Sequence, residues 1–439
     1  MLSVRSLVKS IDWIIVSAIV VLMVIGILFI YSSGVNSEGI LINNEYVKQI
    51  IWAVSGLLLM LGLTAVEPKR LPDYTALLYG AMMVILVYTR LFGKVVNGAR
   101  SWLGLFGDLG IQPSEFMKIA AILFLARYLD STKHEPASFR RFTVSFGIML
   151  LPMVLILSQP DFGTALVYFP LYLGVAFIGG ITLRYLAFLL LTGSIAIVMT
   201  VMPLWQNLVA TEPSIVLRIF YEEPYVFFVI ALAGFAFALS VLGYRFFKKR
   251  YYYWLSFLAL SIILGLSASI AGHMVLKDYQ IMRLVVFLDP SVDPLGSGWN
   301  IVQSITAIGS GGFAGKGFLQ GTQSHYRYLP QQSTDFIFSI ISEELGFIGG
   351  IIIFTLFLVI ALRLLLSLRT LNSAFQRNLI AGVVSMLLFH FMINAGMAMG
   401  IMPITGIPLL FLSYGGSSLW AICMGIGLCL GIGARRYDL

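Results

Sequence analysis

The chain reads as long apolar blocks separated by short polar joints. Each block runs roughly 17–25 residues, the length at which a helix crosses a bilayer. Twelve of them fall at about 12–32, 47–66, 72–91, 112–129, 142–158, 163–180, 184–205, 223–243, 252–276, 336–366, 379–400 and 406–433. They are continuously apolar rather than alternating, which argues against a transmembrane β-barrel. In lipid a backbone must close its own hydrogen bonds, so each block predicts a helix. The first, Ile14 to Tyr31, is long for a signal peptide and no small-residue cleavage site follows it, so it reads as a retained helix. The expectation is an all-α polytopic membrane protein of about twelve spans.

Composition agrees with that reading and adds an orientation. Hydrophobic residues make up 59% of the 439 positions and charged residues 11%, with mean hydropathy +0.94. A soluble domain carries about a quarter charged residues. Most of the 28 basic residues fall in one set of joints: Arg5 and Lys9, Lys69 and Arg70, Arg127 to Arg141, Arg184, Arg245 to Arg250, Arg363 to Arg377, Arg435 and Arg436. The positive-inside rule then places both termini in the cytoplasm. The net charge of +8 becomes a topological bias, and no nucleic-acid partner is expected. Cys423 and Cys429 are six apart within one block and point apart on a helix, so no disulfide is expected.

Three longer segments, 91–112, 206–222 and 277–335, lie on the opposite, outer side. The last is too polar and too long for a simple connector, and loops of that length are usually functional. Asp289-Pro290 and Asp293-Pro294 signal turns. Trp299 to Ile308, with Gln303 among its polar positions, suits a short amphipathic helix. Gly309-Ser310-Gly311-Gly312 and Gly315-Lys316-Gly317 offer backbone N–H groups and a cation to a phosphate, or are simply turns. The segment ends at Ser333-Thr334-Asp335, which reads as a helix N-cap, as a carboxylate poised as a general base, or as both. Glu343 and Glu344 follow two turns deeper, where carboxylates are expensive and usually paired.

A second constellation lies on the outer side of the fourth span: Arg100, Trp102, Glu115 and Lys118. Glu115 and Lys118 share a helix face at i and i+3. Lys118 either pairs there or reaches across to Asp335. Asp161, in Gln159-Pro160-Asp161, is expected to cap the sixth span. The four histidines show no metal-ligand spacing, and His390 reads as a packed contact between helices. No P-loop is present, so no nucleotide is expected.

The run DYQIMRLVVFLDPSVDPLGSGWNIVQSITAIGSGGFAGKG, then GTQS and TDFIFSIISEELG, resembles the SEDS family of shape, elongation, division and sporulation proteins. So do GARSW, QPSEFMKIA, QPDFGTAL and NAGMAMGIMPITGIPLLFLSYGGSS, and the match extends over most of residues 1–204 and 277–439. GTQS at 321–324 sides with the rod-elongation branch rather than the division branch. The resemblance implies a ten-helix, GT-C-like core and a peptidoglycan glycosyltransferase that polymerises lipid II on the outer face of the cytoplasmic membrane. It implies Asp335 as the essential carboxylate, with Glu115, Lys118 and Trp102 in matching motifs. It also implies a divalent cation, magnesium or manganese, and as partners a class B penicillin-binding transpeptidase and other elongation-complex membrane proteins. On that chemistry Asp335 takes the proton of the attacking 4-hydroxyl, and Arg100, Lys118, Arg283 and Lys316 are the candidate cations for the leaving pyrophosphate. Gln303, Ser310 and Asp161 complete the candidate set.

The chain departs from the family pattern twice. Gln331 stands where the family has Glu, and region 205–276 holds an apparent extra helix pair around the basic turn Tyr244 to Tyr253. The expected organisation is therefore core at 1–204, extra pair within 205–276, catalytic loop at 277–335 and closing helices at 336–439. Two rival classes remain: a flippase for the same lipid, using Glu343 and Glu344, and a non-catalytic scaffold. The absence of matched halves with broken helices argues against transport.

Overall fold

The computed structural model describes residues 9–96, 98–106, 109–209 and 215–435. Every expected span contains a helix, though the last, expected from 406, is helical only from Gly416, with 406–415 an irregular segment. In chain order these are α1 (Trp13–Ser33), α2 (Glu45–Leu63), α3 (Leu71–Phe92), α4 (Pro113–Ser131), α5 (Phe139–Ser158), α6 (Phe162–Ile178), α7 (Leu183–Leu208), α8 (Tyr225–Phe247) and α9 (Arg250–Val275). After two further helices, α10 (Asp278–Leu288) and α11 (Ser297–Gly311), come α12 (Ile337–Ser367), α13 (Ala374–Ala398) and α14 (Gly416–Ala434). Among the described residues ten helices are long and apolar enough to cross a membrane. The two spans outside that set are α4, which carries Glu115, Lys118, Arg127 and Asp130, and α6, which has 17 residues. The protein is a multi-pass membrane protein.

The chain forms two compact units, residues 1–181 with 299–439, and residues 182–298. In the first, α1 packs on α12, α2 on α14, α3 on α4, and α13 on both α4 and α6. The enclosed centre is α13 and α14, with 72% and 83% of their apolar windows buried, whereas α2 and α3 keep 22% and leave apolar faces for lipid. Glycines make the α2–α14 approach possible. Gly427 and Gly431, one turn apart, lie against the backbone of Met60 and Thr64, where any side chain would collide. Small residues at that spacing replace the hydrophobic drive that lipid cannot supply. Cys423 and Cys429 are free and buried in α14. In the second unit α9 packs on both α7 and α8, and α10 on α7.

Two segments differ from expectation. Residues 94–111 form a three-stranded antiparallel sheet, β1 (Lys94–Val96), β2 (Ala99–Phe106) and β3 (Leu109–Ile111), in the order β1-β2-β3. Segment 277–335 is not one loop. It is largely helical and divides between the units at Gly298 and Trp299. Its turns are as expected: Asp289 accepts from Ser291 N at 2.9 Å, and Asp293 from Ser297 N at 2.7 Å. The amphipathic helix appears as α11.

Candidate active site

Asp335 sits on a tight turn that opens α12. Gln331 adopts a left-handed backbone, φ 51°, and its carbonyl accepts from Asp335 N at 3.1 Å and Phe336 N at 3.3 Å. The N-cap is Phe336, without a side-chain cap bond, so the N-cap reading of Asp335 is corrected. Three successive carbonyls of the turn are held by other parts of the first unit. Tyr414 N donates to Ser333 O at 2.8 Å, Ser413 Oγ to Thr334 O at 2.5 Å, and Asn394 Nδ2 to Asp335 O at 2.9 Å. Asn394 Nδ2 also donates to Ile407 O at 2.8 Å. The Asp335 carboxylate, half-buried, faces Gly406, whose φ of 71° favours glycine.

A buried charge layer lies one helical turn along α13. Lys118 Nζ is 2.8 Å from Glu115 Oε2 and 2.9 Å from Oε1, with both side chains almost fully enclosed. It also lies 3.2 Å from His390 Nε2, while His390 Nδ1 is 3.0 Å from Pro408 O. A carbonyl can only accept, so Nδ1 carries the proton and Nε2 accepts from the ammonium. His390 and Asn394 are four residues apart and share a face of α13. Through them both Lys118 and the Asp335 backbone bear on segment 407–408. Asp161 caps α6 by accepting from Thr164 N at 3.1 Å, as expected, and takes a bond from Gln112 Nε2 at 2.7 Å. Burial raises its carboxyl above the ordinary range; the Thr164 and Gln112 bonds oppose the rise and the Glu115 charge adds to it.

Beside the turn opens a cavity of about 470 Å³. Ser333, Thr334 and Gln331 form one wall, α2 contributes Glu45, Lys48 and Trp52, the sheet contributes Lys94 and Trp102, and Tyr414 closes the base. The Trp52 and Tyr414 ring centroids are 5.0 Å apart. Burial, reinforced by Glu45, pushes the Tyr414 phenol up to about 12. Gln331, the family departure, lines this cavity.

Several sequence candidates stand elsewhere. Arg100 is exposed and donates to Leu91 O at 3.3 Å, closing the end of α3. Arg283 lies in the second unit, its guanidinium 5.8 Å from the Tyr279 ring centre. Ser310 bonds Ala307 O in its own helix, and Gln303 is half-buried on α11. The glycine run is not a phosphate cradle. At Gly346, φ 67° and ψ −157°, α12 breaks and frees its carbonyls. Lys316 N then donates to Glu343 O and Gly317 N to Glu344 O, both at 3.0 Å. Lys316 Nζ is 2.8 Å from Glu343 Oε1, which also accepts from Thr322 N at 2.8 Å and Gln323 N at 2.9 Å. Glu344 accepts from Ser32 Oγ at 2.5 Å and Leu319 N at 2.9 Å. These donors and acids are committed to one another.

The sequence reading missed Lys48, Lys94, Glu45, His390 as the partner of Lys118, and Asn394. A signal existed for the last two, since polar residues at i and i+4 on an apolar span mark one internal face. For the divalent cation, no group of three His, Cys, Asp or Glu side chains is placed to hold a metal among the described residues. Glu45 Oε2, buried without a hydrogen-bond partner, fits an ion that draws its other ligands from substrate phosphate and water.

A family model described as cell cycle protein, FtsW/RodA/SpoVE, matches residues 12–212 and 229–438. The chain belongs to that family. It is 48% identical to the peptidoglycan glycosyltransferase RodA of Treponema pallidum, over 98% of this chain and 99% of that one. It is 30% identical to the peptidoglycan glycosyltransferase MrdB of Escherichia coli, over 87% and 83%. Among solved structures it matches a chain of a peptidoglycan synthase complex in which polymerization and crosslinking are coordinated (TM-score 0.66, 26% identity, 98% and 99% covered). It also shares the fold of Thermus thermophilus RodA (TM-score 0.60, 23% identity, 97% and 98% covered). Because the Treponema match spans nearly both whole chains, the helices of region 205–276 are shared with that relative and are not an insertion peculiar to this protein.

Proposed function

We propose that this protein is a peptidoglycan glycosyltransferase of cell elongation that polymerises lipid II on the outer face of the cytoplasmic membrane, with both termini in the cytoplasm. The observation that carries the reading is the Asp335 carboxylate, half-buried on a turn whose Ser333, Thr334 and Asp335 carbonyls are all anchored. A general base must be held still at a stated place, and anchoring the backbone on both sides does that. Asp335 takes the proton of a glycan 4-hydroxyl as its oxygen bonds the anomeric carbon of a second lipid-linked sugar. The anomeric carbon–phosphate oxygen bond breaks, and undecaprenyl pyrophosphate leaves with the electron pair. The buried Glu115–Lys118–His390 layer positions segment 407–408 behind Asp335. A bound magnesium or manganese ion would offset pyrophosphate charge, with Glu45 as its protein ligand.

A class B penicillin-binding transpeptidase, with other elongation-complex membrane proteins, fits as partner, since the related solved chain belongs to a complex that couples polymerization to crosslinking. The transport reading loses its best feature, because Glu343 is already neutralised by Lys316. Purified protein incubated with lipid II, with and without a divalent cation, tests the proposal. A polymerase yields glycan strands without any second enzyme. A flippase or scaffold yields none.

A further inference from the structure

The basic turn between α8 and α9 has no role in the chemistry proposed above. Lys248, with a left-handed φ of 52°, and Lys249 are the whole joint between Phe247 at the end of α8 and Arg250 at the start of α9. Arg245 stands in the last turn of α8. Arg184, in the first turn of α7, holds its guanidinium 5.8 Å from the centre of the Tyr253 ring. Five cations therefore meet at one end of the second unit, and all five are exposed. Rings brace the turn beneath them. Tyr252 stacks on Phe247 with centroids 5.9 Å apart and lies against Gly243, where any side chain would collide with it. Phe246, Tyr251 and Trp254 stay exposed, the placement that aromatic rings take at the headgroup level of a bilayer.

This charge is not offset within the protein. No Asp or Glu occurs between Glu223 and Asp278. The 23 residues of α8 rise about 35 Å, several times the Debye length of about 8 Å in physiological salt. Carboxylates beyond its far end are too distant to neutralise the turn. Among the described residues none of the five cations is in an ion pair. Other basic joints differ. Arg70 pairs with Glu67 at 2.9 Å, Lys133 with Asp130 at 3.6 Å and Arg363 with Asp12 at 2.6 Å. Arg435 donates to the carbonyls of Thr64 and Ala65. We infer that this end of the second unit is a binding site for the headgroup of an anionic phospholipid. Leu239, Leu242, Leu255 and Leu258 leave exposed apolar faces on α8 and α9 that lead up to the turn. Acyl chains along those faces bring their phosphate among the cations, a match that a soluble anion lacks. The orientation proposed above makes the leaflet cytoplasmic; the binding itself does not depend on it.

The test titrates the purified full chain in neutral detergent micelles with phosphatidylglycerol or phosphatidylcholine and counts bound lipid by native mass spectrometry. Micelles have no sides, so the outcome is independent of orientation, and no turnover is read. The parent binds phosphatidylglycerol in preference to phosphatidylcholine. Each charge removed in the series Lys248→Gln, Lys249→Gln, Arg250→Gln weakens phosphatidylglycerol binding about fivefold, the scale for one basic residue at an anionic surface. Phosphatidylcholine binding does not change. Lys248→Arg with Lys249→Arg keeps the parental affinity, as does Arg70→Gln with Lys133→Gln at other joints. Inorganic phosphate at the same concentration displaces none of the lipid. Parental phosphatidylglycerol affinity in the triple variant overturns the site. So does an equal loss for phosphatidylcholine, an equal loss in the Arg70 and Lys133 variant, or displacement by inorganic phosphate, which would make the turn a site for soluble anions.

Discussion

Asn394 holds Asp335 from behind, its Nδ2 donating to the Asp335 carbonyl at 2.9 Å while bonding the Ile407 carbonyl at 2.8 Å. One amide thus ties α13, the turn before α12 and the segment before α14 into a single frame. Asn394→Leu leaves two carbonyls without their donor, at about 1–3 kcal/mol for a buried unsatisfied group. The expected result is a modest loss of thermal stability and a fall in turnover of about tenfold or more, because small displacements of a catalytic group are costly. Steady-state assays that separate kcat from KM should show the loss in kcat.

The Glu115–Lys118 pair predicts non-additive stability. Removing one partner strands a buried charge, a cost of about 3–5 kcal/mol. Lys118→Met and Glu115→Leu should each lower the melting temperature strongly, and the double variant should melt above Lys118→Met alone. A double variant as unstable as the two losses summed would show that the pair is not coupled.

Gly346 lies in a backbone region essentially reserved for glycine, at φ 67° and ψ −157°. Gly346→Ala should cost about 1–3 kcal/mol in strain. It also pushes Cβ into Gly315 N and Phe313 O. Loop 311–324 should become cleavable by protease in this variant while the other loops keep their resistance.

Asp161 gives a pH dependence of known sign. Its carboxyl is raised in the folded state, chiefly by burial. Over a window opening at the ordinary aspartate value, about 4, and running upward, the folded protein holds a proton that the unfolded chain has released. Stability from this group is therefore present at low pH and lost as pH rises through the folded value. Asp161→Asn cannot ionise, so its melting temperature relative to the parent should improve as pH rises across that window. A constant difference would show that Asp161 does not titrate differently on folding.

The helices were legible because lipid forces a strict length and apolarity on each span, and α1 to α9 and α12 to α14 stand where those blocks fall. Asp161 was legible as a cap and Glu115–Lys118 as a pair because both depend on local spacing. The cavity was not, because Lys48, the Lys94–Trp102 hairpin and Tyr414 are far apart in sequence and meet only through tertiary packing. The glycine run misled for a definite reason. A phosphate loop and a loop docked on a broken helix both need glycine and free N–H groups, and only the kink at Gly346 tells which is present. The sheet at 94–111 escaped because its strands are short and interrupted by glycine.

The proposed role of Asp335 as the base for glycan polymerisation is open to a direct test. The most direct measurement is lipid II polymerisation by purified Asp335→Asn beside the parent chain, with folding checked by melting temperature. Asparagine keeps the size and leaves the anchored carbonyls in place but cannot take a proton. The expected variant melts with the parent, still binds undecaprenyl pyrophosphate and forms no glycan strands. Parental rates of polymerisation by a folded Asp335→Asn protein would contradict it.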